Sequence, residues 1–181
     1  MVTTTKRLTA TDLWNLANDD PHDFELIEGE LIPIVPIGGE HGSIQVEISG
    51  LLRSYVAERS MGRLFSETGF VLDSGQHTVL APDLAFVAAS RLPVDLRGYL
   101  HLAPDLAVEI VSPGNSPGDI ERKVALYLAA GVRLIWVIYP DQRQIVAHAP
   151  NRAPRVFQAP ESIPGDDILP GLTIGVEEIF A

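Results

Sequence analysis

The chain has 181 residues, no cysteine and a formal net charge of −11, with 46% hydrophobic and 20% charged residues. That length suits one domain with a single core, and the composition is globular rather than disordered. Disulfides and thiolate metal sites are excluded, and the acidity argues against a protein that coats nucleic acid through overall charge. No apolar run reaches the roughly 20 residues of a membrane helix, and no apolar block of signal-peptide type follows Met1 to Arg7. A soluble, cytoplasmic protein is expected.

In chain order, Thr9 to Asn18 reads as a short capped helix. Phe24 to Ile27 and Leu31 to Ile34 flank Glu28-Gly29-Glu30 as a β-hairpin. After Gly38-Gly39, residues Glu40 to Glu58 carry Ile44, Ile48, Leu51, Leu52, Tyr55 and Val56 at helical spacing. The reading then turns to β, with Leu64-Phe65, Gly69 to Leu72 and Val79 to Val87 as strands and Asp73 to Gln76 as a turn. Arg91 to Leu102 is an irregular connection. Strand Asp105 to Val111, helix Asp119 to Ala130 stopped by Gly131, and the apolar strand Val132 to Tyr139 have the size and order of a β-α-β crossover with parallel strands. Gln144 to Ala149 is a further strand, and from Arg152 short apolar pieces alternate with Pro and Gly. The expected organisation is one domain: a helix and hairpin over 1–37, a core over 38–149 and an extension over 150–181. The expected fold class is α/β (mixed α+β), a mixed sheet flanked by helices.

Acids within the apolar strands carry the functional signal, because a buried carboxylate needs a cation or hydrogen bonds to offset its desolvation. Alternation sets Glu109 on one face with Asp105, Ala107 and Val111, and Asp83 with Ala81, Ala85 and Val87. If the two strands are neighbours with these faces aligned, Asp83 and Glu109 converge, and their hard oxygens suit Mg²⁺ or Mn²⁺. On the following helix, Asp119, Lys123 and Tyr127 form a polar stripe at i, i+4 spacing that brings Lys123 toward the sheet. A lysine beside a metal and a phosphate can stabilise developing negative charge, which makes a workable phosphodiester-cleaving site.

Plainer roles are open for each residue. Asp83 can cap a turn, Glu109 can pair with an arginine, and Lys123 can pair with Asp119. Glu40 suits the start of a helix dipole, and His41 beside it can be structural or an accessory to metal or water. Glu47 reads as a solvated face residue, and Trp14 and Trp136 as packing residues. Arg53, Arg59, Arg63, Arg91 and Arg97 could form a local basic patch. Ser112 does not sit in a nucleophile elbow, and the glycines form no phosphate-binding fingerprint.

The ordered set Gly29, Glu40-His41, Pro82-Asp83, Pro104 to Pro113 around Glu109, Lys123 with Tyr127, and Gly131-Val132 before Trp136 resembles the PD-(D/E)xK nucleases, and within them the Uma-two-type family. The resemblance spans most of the chain. It implies a restriction-endonuclease-like α/β core, Asp83 and Glu109 as ligands of a divalent cation, and a nucleic-acid phosphodiester as substrate. The superfamily's usual lysine lies two residues after the second acid, where this chain has Val111, so the resemblance implies that Lys123 takes its place. The leading expectation is a Mg²⁺- or Mn²⁺-dependent endonuclease acting on DNA, with Asp83, Glu109 and Lys123 catalytic and Glu40, His41 and Tyr127 accessory. The alternatives are an inactive homodimeric interaction or nucleic-acid-binding module of the same fold, and a hydrolase of small phosphate esters.

Overall fold

The computed structural model describes residues 7–19, 24–34 and 36–181; Met1 to Lys6, read above for a leader, lie outside them. Helix α1 (Ala10–Asp19) precedes the hairpin β1 (Phe24–Ile27) and β2 (Glu30–Pro33), and then comes the long helix α2 (Gly39–Glu58). Four short strands follow: β3 (Gly62–Phe65), β4 (Phe70–Val71), β5 (Val79–Leu80) and β6 (Leu84–Ala88). The crossover is β7 (Leu106–Ile110), α3 (Pro117–Ala129) and β8 (Leu134–Tyr139). Strands β9 (Gln144–His148), β10 (Arg155–Gln158), β11 (Ser162–Pro164) and β12 (Thr173–Gly175) and the single turn α4 (Val176–Ile179) complete the chain. Among the described residues no helix is long and apolar enough to cross a membrane.

The main sheet has six strands in the order β10-β9-β8-β7-β6-β3, and a four-stranded sheet runs β2-β1-β5-β4. In the main sheet β7 and β8 are parallel while the other pairs are antiparallel, so the sheet is mixed and the crossover has the expected sense. Its central strand β8 is buried on both faces, as a near-continuous apolar run requires.

One face of the main sheet packs Leu106, Val108, Leu134 and Trp136 against Ile44, Ile48 and Leu52 of α2. The same cluster takes in Ile163, Leu169, Ile174 and Ile179, so the segment after Arg152 forms strands and a helical turn that close the main core. On the other face Ala107, Ile135 and Val137 meet Ile120, Val124 and Tyr127 of α3 together with Ile27 and Leu80 of the smaller sheet. Each fully buried aliphatic or aromatic side chain in these layers contributes roughly 1.5–3 kcal/mol.

The segment Val79 to Val87, expected as one strand, is two. β5 pairs with β1 and β4, whereas β6 pairs with β3 and β7. The break falls at Ala81-Pro82-Asp83, because Pro82 has no N–H to continue a ladder. The chain therefore changes sheets immediately before Asp83.

Local chemistry fixes the other boundaries that matter to the site. The hairpin turns through Glu28 and Gly29 with φ of 53° and 87°, the left-handed pair of a type I′ turn. Helix α3 begins at Pro117 rather than Asp119: Ser116 is its N-cap, in a capping box with Asp119. It ends with Gly131 at φ 92°, where Val132 N–H bonds to the Tyr127 carbonyl and Gly131 N–H to that of Leu128. This is a Schellman stop, and it fixes the turn that carries Tyr127.

Candidate active site at the junction of the two sheets

Continuing the β6–β7 register one step past Leu84–Val108 sets Asp83 across from Glu109. The two acids thus share the face of Ala85 and Ala107, as alternation requires. Asp83 is not mid-strand, however; it occupies the corner where the chain passes between sheets. Its Oδ2 accepts the backbone N–H of Ile110 at 2.6 Å, and its Oδ1 lies 2.9 Å from His41 Nε2. The other ring nitrogen of His41, Nδ1, is 2.8 Å from Ser112 Oγ.

Glu109 is buried, and both of its oxygens are engaged from α3. Lys123 Nζ donates to Oε2 at 3.1 Å and the Tyr127 hydroxyl to Oε1 at 2.6 Å. Lys123 also reaches Glu25 Oε2 on β1 at 2.9 Å, while Glu25 Oε1 accepts the N–H of Ala81 at 3.0 Å. The ammonium therefore ties the crossover helix to both sheets. Asp119, the candidate partner for Lys123 one turn earlier, spends its carboxylate on the Ser116 cap, which leaves Lys123 to the interior acids.

Burial is the main force that raises the Glu109 carboxyl, to about 7, and the charges of Glu25 and Asp83 push the same way against Lys123 and the Tyr127 hydrogen bond. Burial alone would lower the Lys123 ammonium, but the carboxylates of Glu109 and Glu25 outweigh it and hold the group above its usual value. Burial first, then the Glu109 charge, pushes the Tyr127 phenol well above 10. Lys123 is thus a permanent cation and Tyr127 a permanent donor at neutral pH.

Of the sequence candidates, the structure brings Asp83, Glu109, Lys123, Tyr127 and His41 into one connected cluster. Glu40 is exposed on the first turn of α2 and Glu47 is exposed further along it. Glu25, Gln45 and Ser112 complete the cluster and were not candidates for it. Glu25 carried the same signal as Glu109, an acid in an apolar strand, but in a short hairpin alternation assigns it equally well to solvent. Of the arginines named as a basic patch, Arg59 pairs with Glu58, Arg91 with Asp105 and Arg97 with Asp95. Trp136 is fully buried, whereas Trp14 is 45% exposed and stands edge-on to Tyr99.

The donors suit a hard divalent cation held sparingly. Three carboxylates face one ammonium, so the cluster has a surplus of negative charge. Each oxygen of Asp83 and Glu109 that accepts one hydrogen bond keeps a second lone pair. Among the described residues no three histidine, aspartate or glutamate side chains are grouped closely enough to enclose an ion. Two carboxylates with water and substrate oxygens completing the shell is the usual arrangement for Mg²⁺.

A solved structure described as a putative nuclease belonging to DUF820, from Anabaena variabilis ATCC 29413, superposes with a TM-score of 0.82 at 24% identity, covering 96% of this chain and 97% of that one. This likeness establishes the fold. No curated protein matches the chain. The sequence model of the Uma2 family, described as "Putative restriction endonuclease", matches residues 10–177. The chain, with its junction of Asp83, Glu109 and Lys123, belongs to the Uma2 family.

Proposed function

We propose that this protein is a Mg²⁺- or Mn²⁺-dependent nuclease that hydrolyses phosphodiester bonds in DNA, with Asp83 and Glu109 holding the cation. The observation that carries the reading is that Asp83, one step beyond the Leu84–Val108 end of the β6–β7 register, stands opposite Glu109, with Lys123 bonded to Glu109. A surplus of buried carboxylate would repel a phosphate, and a bound dication reverses that sign. The family description and the fold point the same way. When bound, the cation supplies Lewis-acid polarisation of the phosphoryl group and makes water more acidic.

The residues of the chain divide the remaining work. Tyr127 and Lys123 hold the Glu109 carboxylate in one orientation, so its free lone pairs point one way. Lys123 stays protonated and acts by charge, steadying negative charge that builds on the phosphoryl oxygens rather than removing a proton. His41 and the Ile110 amide hold Asp83.

Cleavage of supercoiled plasmid and of a single-stranded oligonucleotide in Mn²⁺, abolished by EDTA and by Glu109→Ala, is the expected result. Mn²⁺-independent cleavage, or full activity in both Asp83→Ala and Glu109→Ala, overturns the proposal. A second reading, a nucleic-acid-binding module without turnover, is favoured by one observation: the Lys123 ammonium is already committed to two carboxylates. Retention of DNA without cleavage of DNA, RNA or an activated phosphodiester would establish it instead.

A further inference from the structure

His41 and Gln45 stand one turn apart on α2, both are buried, and both end on Asp83. His41 Nε2 meets the carboxylate at 2.9 Å and Gln45 Nε2 donates to the main-chain carbonyl at 3.0 Å. Gln45 Nε2 also lies 3.0 Å from Ser66 Oγ and 3.0 Å from Glu67 Oε1, across the corner. These contacts fall where the backbone belongs to neither ladder. Residues 81–83 lie between β5 and β6, so no ladder bond sets the direction of Asp83. The Ile110 N–H of β7 holds Oδ2 at 2.6 Å, and Oδ1 and the main-chain carbonyl are left to side chains.

The donors are also chosen with economy. A carboxylate only accepts, so Nε2 of His41 carries a proton, and in the neutral tautomer Nδ1 is left to accept the Ser112 hydroxyl. Ser112 is in turn fixed by its own N–H, which donates to Asn115 Oδ1 at 2.8 Å. Ile44 and Ile48, the next buried residues of α2, already supply its packing on the main sheet. Polar side chains at 41 and 45 are therefore not required to seat the helix.

We propose that His41 and Gln45 are positioning residues: they grip Asp83 by its carboxylate and its carbonyl and aim the remaining lone pairs at the cleft beside Glu109, with Ser112 setting the His41 ring. The inference rests on the metal-dependent reading above and adds a task for α2. Partners that orient a ligand in this way usually change metal affinity 10- to 100-fold when removed.

The test is Mn²⁺ binding by isothermal titration calorimetry, with thermal melting of the metal-free proteins alongside. Asp83→Ala is expected to abolish binding, and His41→Ala and Gln45→Met to weaken it about 10- to 100-fold. His41→Gln, whose amide nitrogen reaches the place of Nε2, is expected to restore most of the affinity. If His41→Ala and Gln45→Met bind as the wild type does while Asp83→Ala does not, the positioning role is overturned and the metal site stands. If they melt earlier but bind Mn²⁺ with unchanged affinity, their role is structural and the inference is overturned. A wild-type protein that binds no Mn²⁺ overturns both readings. Should His41→Ala not fold, Ser112→Ala takes its place: weakened affinity upholds the inference, and unchanged affinity rejects it.

Discussion

Lys123 on α3 and Glu25 on β1 meet at 2.9 Å, and this contact joins the crossover helix to the smaller sheet across the face that carries Glu109. The ammonium is shared, since the same Nζ reaches Glu109 Oε2 at 3.1 Å. Removing either end should have unequal consequences. Glu25→Ala strands the Ala81 N–H but leaves Lys123 with Glu109, and the expected loss is about 1–3 kcal/mol. Lys123→Met leaves two buried carboxylates without their cation, and the expected loss at pH 8 is larger, about 3–5 kcal/mol. Urea unfolding of both variants checks the order; equal midpoints would refute it.

The same surplus of negative charge gives stability a distinct dependence on pH. Glu109 titrates near 4.5 when unfolded and near 7 when folded, chiefly because it is buried. Between these values the folded state binds more protons than the unfolded one, so stability falls as pH rises from about 4.5 to about 7. Lys123 does not contribute in this window, because its raised value lies far above it. Melting temperatures of the wild type are expected to decline from pH 5 to pH 8, and those of Glu109→Gln to decline much less. A parallel decline in the two proteins would assign the slope elsewhere.

Much of the architecture was legible in periodicity. The alternation through Leu106 to Ile110 and the apolar run Leu134 to Tyr139 identified the central strands, and the spacing of Ile44, Ile48 and Leu52 identified α2. Parity put Asp83 and Glu109 each on a definite strand face, while their meeting required β6 and β7 to be neighbours, which only the structure supplies. What escaped was whatever depends on a change of direction. Val79 to Val87 has a continuous strand composition, and only the pairing of its two halves with different partners reveals the corner at Pro82. Glu25 escaped for the same reason, because its inward face is set by the packing of one sheet on the other. His41 was a candidate, but Gln45 and the hold of both residues on Asp83 escaped, because helical spacing does not say that α2 overhangs a strand start.

Tyr127 offers a test of how Glu109 is held. Its hydroxyl donates to Oε1 at 2.6 Å within a fully buried environment, and Tyr127→Phe deletes that donor while keeping the ring. A hydrogen bond to a charged group contributes about 1.5–3 kcal/mol. The expected loss of stability lies in that range at pH 8, where Glu109 is ionised, and is smaller at pH 5, where it is protonated. Chemical denaturation at the two pH values checks this. Under the metal-dependent reading the variant should also bind Mn²⁺ more weakly, because Glu109 loses one of its two restraints.

Asp105 provides the contrast that separates a structural carboxylate from a functional one on the same strand face. It is fully buried, yet Arg91 lies 2.8 Å and Arg133 2.9 Å from Oδ1, and the Ala88 N–H donates to Oδ2 at 2.9 Å. Two guanidinium groups and an amide compensate this charge completely, leaving no surplus for a cation to neutralise. Asp105→Ala would abandon both arginines and the amide, and the expected cost is about 3–5 kcal/mol. Glu109→Gln, by contrast, relieves a charge that burial disfavours, so it should cost little stability at pH 8 or raise it while removing Mn²⁺ binding. Measuring unfolding and Mn²⁺ affinity on both variants tests the division: Asp105→Ala should lose stability with affinity intact in the folded protein, and Glu109→Gln the reverse. The opposite pattern would make Asp105 the functional acid and Glu109 the structural one.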